Sequence, residues 1–231
     1  MKKAYAIFIK QLKDTWRNKS ILLQFVLLPI MALAMGYIMP EDMISKRDIA
    51  AMFTTMYVSM IPIASMCAII AEEREKGTLR ALRMANVNSG QYLIGIGSCL
   101  FLESMFGVAL FSILGEYAGK DLLQYILISS IGVLSSLLLG AIIGLISKNQ
   151  MSATSLSAPL SVILSFMPTL AAMNDEIAKI SKYLYTQQLN NIFQNIGDTP
   201  FTKERLLILF ANIGIFCLTF VVVFRKKGLK D

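Results

Sequence analysis

The sequence predicts an all-α membrane protein: six transmembrane helices, an amino-terminal amphipathic interfacial helix, and short outer re-entrant helices before the last span. Three observations predict it. Of 231 residues, 55% are hydrophobic and only 16% are charged, with a mean hydropathy of +0.61, whereas soluble domains carry about 25% charged residues. Six apolar runs are each long enough to cross a hydrocarbon core of about 30 Å. None alternates with period two, so their backbone groups are satisfied within helices and not in a barrel. Six such spans use about half the chain, which leaves no room for a large soluble catalytic module.

Residues 1–20 come first. On a helix, Tyr5, Phe8, Leu12 and Trp16 share one face, while Lys3, Lys10, Lys13 and Arg17 flank or oppose it. That pattern suits a helix lying in the inner membrane interface, either as an electrostatic anchor or as a lever that touches a partner. The apolar stretch Ala4 to Ile9 ends at Lys10 and is too short for a signal-peptide core. The expected spans are Ile21 to Met39, Ile49 to Ala71, Tyr92 to Leu114, Leu122 to Ile146, Ala153 to Ala172, and Leu206 to Phe224.

Fifteen of the 22 Lys and Arg residues fall in the amino-terminal segment, the loop at 72–91, the link at 147–152 and the carboxy-terminal tail. That side is therefore expected in the cytoplasm, with both termini, in a cell-membrane protein. The net charge of +7 then reflects contact with anionic lipid and not with nucleic acid. Histidine is absent, which excludes His-based triads, metal sites and proton shuttles. Cys67, Cys99 and Cys217 sit in apolar runs at no metal or redox spacing and read as buried thiols. Gly115 to Asp121 has one residue too few between its glycines for a phosphate-binding loop, and Asp where a hydroxyl must hold magnesium. No catalytic residue, metal site or bound cofactor is expected.

The loop after the second span is the most informative segment: Glu72, Glu73, Arg74, Glu75, Lys76, Gly77, Thr78, Leu79, Arg80, Ala81, Leu82 and Arg83. A charged helix end meets Gly77, suited to a left-handed C′ position. Thr78 suits the N-cap of a short second helix, on which Leu79 and Leu82 share a face beside Arg80 and Arg83. Ser89 is a plausible cap for the third span, and Thr202 for the sixth. The expected object is a stiff knob between two spans, able to pass on a push from a soluble partner.

The string Glu73 to Leu79 resembles the motif that follows the second span in ABC type-2 permeases, the membrane subunits of one class of ATP-binding-cassette exporters. The resemblance extends over residues 1–231, read as one permease domain with an interfacial helix at 1–20, a coupling loop at 72–91 and an outer segment at 173–205. It departs at Gly97 and Ser98, where many members have Gly-Lys, and at Tyr183 to Gln188, where many are Pro-rich. The resemblance implies that Thr78 to Met84 is a coupling helix docking on a separate ATPase, with Glu72 to Lys76 as its stem. ATP and magnesium would reside on that partner. A second copy or paralogue of the permease would complete the path. The implied function is ATP-driven export of a hydrophobic or amphipathic cargo such as a peptide, bacteriocin or drug. The alternative is a non-transporting immunity or sensor subunit that binds partner proteins.

Several intramembrane residues are candidates for the path. Glu103 is the one acid well inside a span and has no Lys or Arg within the spans to pair with, so a neutral form or bonds to Ser129, Ser130 or Thr54 are expected. Met52, Met56 and Met60 form an adaptable stripe beside Phe53 and Thr54. Ser157, Ser161 and Ser165 recur every four residues on the fifth span. The family flanks its path with spans two and five, which singles out Phe53, Met56, Met60, Ser161 and Ser165 beside Glu103. Gly132, Ser136, Gly140 and Gly144 line one face of the fourth span and invite close packing. In the outer segment, Ile177, Ile180, Leu184, Leu189, Ile192, Phe193 and Ile196 recur at helical spacing, and a turn is expected over residues 195–200.

Overall fold

The chain folds as a succession of helices, several of whose starts are set by local side-chain caps. The computed structural model describes residues 2–40, 42–197 and 201–227, and among them there are ten α-helices and no strand. They are α1 (Lys2–Arg17), α2 (Lys19–Ile38), α3 (Lys46–Glu75), α4 (Thr78–Met84), α5 (Ser89–Leu114), α6 (Gly119–Ile146), α7 (Gln150–Met173), α8 (Asp175–Ser181), α9 (Tyr185–Gln194) and α10 (Lys203–Lys227). Helices α3, α5, α6, α7 and α10 are each long and apolar enough to cross a membrane, and α1 with α2 pass the same test as a pair bent by 66°. Five of the six expected spans are thus single helices that start about three residues before their apolar runs, while the first, Ile21 to Met39, falls in α2 and counts as a span only together with α1.

Caps explain the extra length. Ser45 Oγ accepts from the Asp48 N–H at 3.1 Å and starts α3. Asn149 Oδ1 accepts from the Ser152 N–H at 2.8 Å and starts α7. At α5 the cap is Asn88 and not the expected Ser89. Its Oδ1 accepts from the Gln91 N–H at 2.7 Å while Gln91 Oε1 accepts from the Asn88 N–H at 3.3 Å, a reciprocal capping box. Asn88→Ala is expected to lower stability by about 1 kcal/mol, readable as a lower thermal midpoint in detergent. Thr202 does cap α10, accepting from the Arg205 N–H at 3.4 Å. Residues 198–200 of the expected turn after α9 lie outside the described residues. Gly197 just before them holds a φ of +105°.

Helix α3 is the centre. It packs against α2, α5, α6, α7 and α9, and its most apolar window is 78% buried against 17% for α10 at the periphery. Its incomplete burial is confined largely to one line: Met52, Met56, Met60, Ala64, Ala68 and Glu72. The small-residue face of α6 packs inside this one chain. A Cβ on Gly140 would stand 2.6 Å from the Ile63 carbonyl oxygen, and one on Gly144 would stand 2.9 Å from Ile70 Cβ. Gly132 makes room for Leu189 of α9, and the Ser136 hydroxyl bonds the Tyr185 hydroxyl at 2.8 Å. Helix α9 is therefore tucked among the long helices, with Tyr185, Leu189, Ile192 and Phe193 buried. Peripheral α10 also corrects one expectation: Cys217 is exposed, while Cys67 and Cys99 are buried.

Candidate coupling and translocation site

The charged string at the end of α3 is built into the fold residue by residue. Glu73 is buried, 6% exposed, and joins two other helices. It accepts from Lys10 Nζ of α1 at 2.5 Å and from the Tyr92 hydroxyl of α5 at 2.6 Å. Arg74 donates from Nη1 to the Leu145 and Ser147 carbonyls at 2.6 and 3.1 Å, so a cation sits at the negative carboxyl end of α6. Glu75 Oε2 accepts from the Gln150 N–H at 3.0 Å, placing an anion at the positive amino end of α7. Glu72 and Lys76, one turn apart, pair at 2.5 Å on the surface.

Gly77 then turns the chain. Its φ is +69° and no atom lies within 4 Å of where a Cβ would stand, so the left-handed backbone alone favours glycine there. Its N–H bonds the Arg74 carbonyl at 3.0 Å, closing α3, and its own carbonyl accepts from the Ala81 N–H at 3.3 Å, opening α4. Gly77 thus occupies the capping place expected of Thr78, which is instead the first helical residue. Leu79 and Leu82 pack against the core. Arg80 and Arg83 lie in α4, but their side chains are outside the described residues, as is that of Ser89.

Helix α1 grips the same region. Lys3 Nζ donates to the Ala85 and Asn86 carbonyls at 2.8 and 2.9 Å, in the turn between α4 and α5. Its packed face is Ile7, Gln11 and Thr15, all buried, and Gly95 lets it close on α5: a Cβ there would stand 2.8 Å from Ile7 Cβ. The expected apolar face points away from the bundle, with Tyr5 67% and Trp16 71% exposed. Lys10, Tyr92 and Lys3 are the residues that sequence reasoning missed. A lysine interrupting an apolar stretch at Lys10 was the available signal.

The intramembrane candidates lie in different settings. Glu103 is half-buried, takes a 3.4 Å bond from the Cys99 thiol on Oε1, and faces Thr15 of α1. Its Oε2 is buried without a hydrogen-bond partner among the described residues. The serines and threonine expected beside it are engaged elsewhere or apart from it. Thr54 bonds the Tyr125 hydroxyl, Ser130 donates to the Ile126 carbonyl at 2.7 Å, and the Ser129 hydroxyl is buried without a partner. Thr54 is turned to α6, and Ser130 also reaches Met105 Sδ of α5 at 3.7 Å, whereas the carboxyl is drawn one turn back along its own helix toward Cys99. Phe53 is buried, while Met56 and Met60 are half-buried on the partly open line of α3. Ser161 and Ser165 are buried on α7, donating to the Ala158 and Ser161 carbonyls at 3.0 and 2.8 Å. Among the described residues no cluster of three or more Cys, Asp or Glu side chains offers a metal site.

A family model described as "ABC-2 family transporter protein" matches residues 43–225. The chain belongs to the ABC-2 transporter family. This ABC-2 protein is accordingly a multi-pass membrane permease component, of a kind that is generally non-catalytic itself and associates with ABC ATPase subunits. No curated protein matches its sequence significantly. The match begins within the turn before α3 and ends in α10, so the charged string from Glu72 to Arg83 lies inside it and α1 lies before it.

Proposed function

We propose that this protein is the permease subunit of an ATP-driven exporter in the plasma membrane. Both termini and α4 face the cytoplasm, and α8 and α9 lie at the outer side. A separate ATPase binds ATP and magnesium and docks on α4, through Thr78, Leu79, Arg80, Leu82 and Arg83. Two permease copies, or this chain and a paralogue, enclose the path. The cargo is a hydrophobic or amphipathic peptide, bacteriocin or drug.

The observation that carries this reading is the wiring of the α4 stem. Glu73 binds α1 and α5, Arg74 binds the end of α6, and Glu75 binds the start of α7. A push on α4 is thereby shared among four helices at once and tilts them together, which is what a coupling element requires. The half-open Met56 and Met60 on central α3 suit varied apolar surfaces. Phe53, Glu103, Ser161 and Ser165 reach the path only as the helices around α3 part.

The test is cargo-stimulated ATPase activity of the purified complex against a panel of peptides and drugs. Arg80→Glu or Arg83→Glu is expected to cut stimulation by at least about fivefold, the low end of a typical coupling energy, with expression unchanged. Gly77→Pro is expected to do the same. Normal stimulation in all three variants would remove α4 from the coupling role. A permease that never co-purifies with an ATPase would remove the exporter reading itself.

A further inference from the structure

The two sides of α1 face different things. One side packs on α5 and is wired to the α4 stem, through Lys3, Lys10 and buried Ile7, Gln11 and Thr15. The other carries exposed Trp16 and Tyr5, and beside Trp16 stand Lys13 and Arg17, with Lys19 opening α2 two residues on. Lys13, Trp16 and Arg17 fall within one helical turn of each other. The nearest acid in sequence, Asp14, is shared with Lys10 at 3.9 Å. Lys13, Arg17 and Lys19 are all exposed, and among the described residues none is held in an ion pair. Two cations within a helical turn of an exposed indole, with Lys19 following where α2 begins, combine apolar insertion with attraction to negative charge.

We propose that Lys13, Trp16, Arg17 and Lys19 form a binding site for the phosphate headgroup of an anionic membrane lipid, and that its occupancy steadies the α1 grip on the coupling stem. The indole enters the headgroup layer and the three cations gather the phosphate. Because Lys10 and Lys3 act from the same helix on Glu73 and on the α4–α5 turn, a lipid that fixes the outward side of α1 also fixes the stem. The lipid site stands on α1 and the first residue of α2; its effect on coupling rests on the exporter reading.

Trp16 is the only tryptophan in the chain, so its fluorescence reports this site without labelling. The full permease is placed in vesicles containing equal fractions of brominated phosphatidylglycerol or brominated phosphatidylcholine. Quenching by the anionic lipid is expected to be at least about threefold stronger, given a gain of about fivefold in local affinity per cation. The preference should vanish in the Lys13→Gln, Arg17→Gln, Lys19→Gln triple variant and persist in Lys120→Gln, a change at the opposite end of the bundle. Equal quenching by the two lipids in the unaltered protein overturns the site. So does loss of the preference on adding inorganic phosphate at an ionic strength matched by chloride, which marks a soluble-anion site instead. In the assembled complex, exchanging phosphatidylglycerol for phosphatidylcholine should lower cargo-stimulated ATPase by about twofold or more. Unchanged stimulation, with the quenching preference intact, overturns the regulatory step and leaves the lipid site standing.

Discussion

Gly140→Leu is expected to prevent accumulation of folded permease, and Gly140→Ala to lower its thermal midpoint sharply. The reason is what the missing side chain would meet. An added Cβ lies 2.6 Å from the Ile63 carbonyl oxygen and 3.0 Å from Ile63 Cα. Both atoms belong to the backbone of the buried central helix, so neither can rotate aside. Overpacking of this kind costs about 1–3 kcal/mol for small insertions, and leucine adds three more carbons to the same gap. Net stabilities of about 5–15 kcal/mol leave little reserve. Gly97→Ala and Gly214→Ala are the matched controls. Nothing lies within 4 Å of a Cβ at either glycine, and alanine favours helix by about 1 kcal/mol. Both should match or exceed the unaltered midpoint in a detergent melting assay. A Gly140→Ala protein melting with these controls would refute close packing of α3 on α6.

The second large effect is expected at Glu73. Removing its carboxylate by Glu73→Ala leaves the Tyr92 hydroxyl buried without its acceptor and Lys10 without its partner. Tyr92 is only 4% exposed, so that loss is felt almost in full, at about 1.5–3 kcal/mol for a bond to a charged group. Lys10, with its side chain 48% exposed, regains water, so the pair itself contributes little. Tyr92→Phe should therefore cost less than Glu73→Ala, and Lys10→Met least of all. The ranking is read from thermal midpoints, and cargo stimulation of ATPase should fall with it. Equal midpoints for Lys10→Met and Glu73→Ala would show that the α1 bond dominates instead.

The spans were legible because apolar runs of about 20 residues with at most one charge, Glu103 in the third, have few other folds open to them. The string from Glu73 to Lys76 was legible as a helix end, and its family resemblance was matched over residues 43–225. What each of its charges holds was not legible. Arg74 caps α6 from 71 residues away in sequence, and Glu75 reaches α7 across 75. Long-range ends of this sort leave no local period. The capping errors are of another kind. Asn88 and Ser89 are both good N-caps, and the choice was made by Gln91, three residues on from Asn88. At Gly77 one residue closes a helix and opens the next, which leaves Thr78 no cap to make. Glu103 stood out as the one acid well inside a span, but its neighbours were drawn from polar residues on the other spans. The structure instead sets it against Cys99 of its own helix and Thr15 of α1.

The partly open line along α3 has a consequence for how such a protein can diversify. Met52, Met56, Met60, Ala64 and Ala68 recur every fourth position on a helix that is otherwise closed in by its neighbours. A saturation scan along α3 should therefore alternate between intolerant positions and one tolerant ridge. If α3 lines the path as proposed, changes on that ridge alter the surface offered to cargo while leaving the interior packing alone. On that proposal, specificity drifts along a single edge of the most buried helix, with selection for folding acting on the residues between.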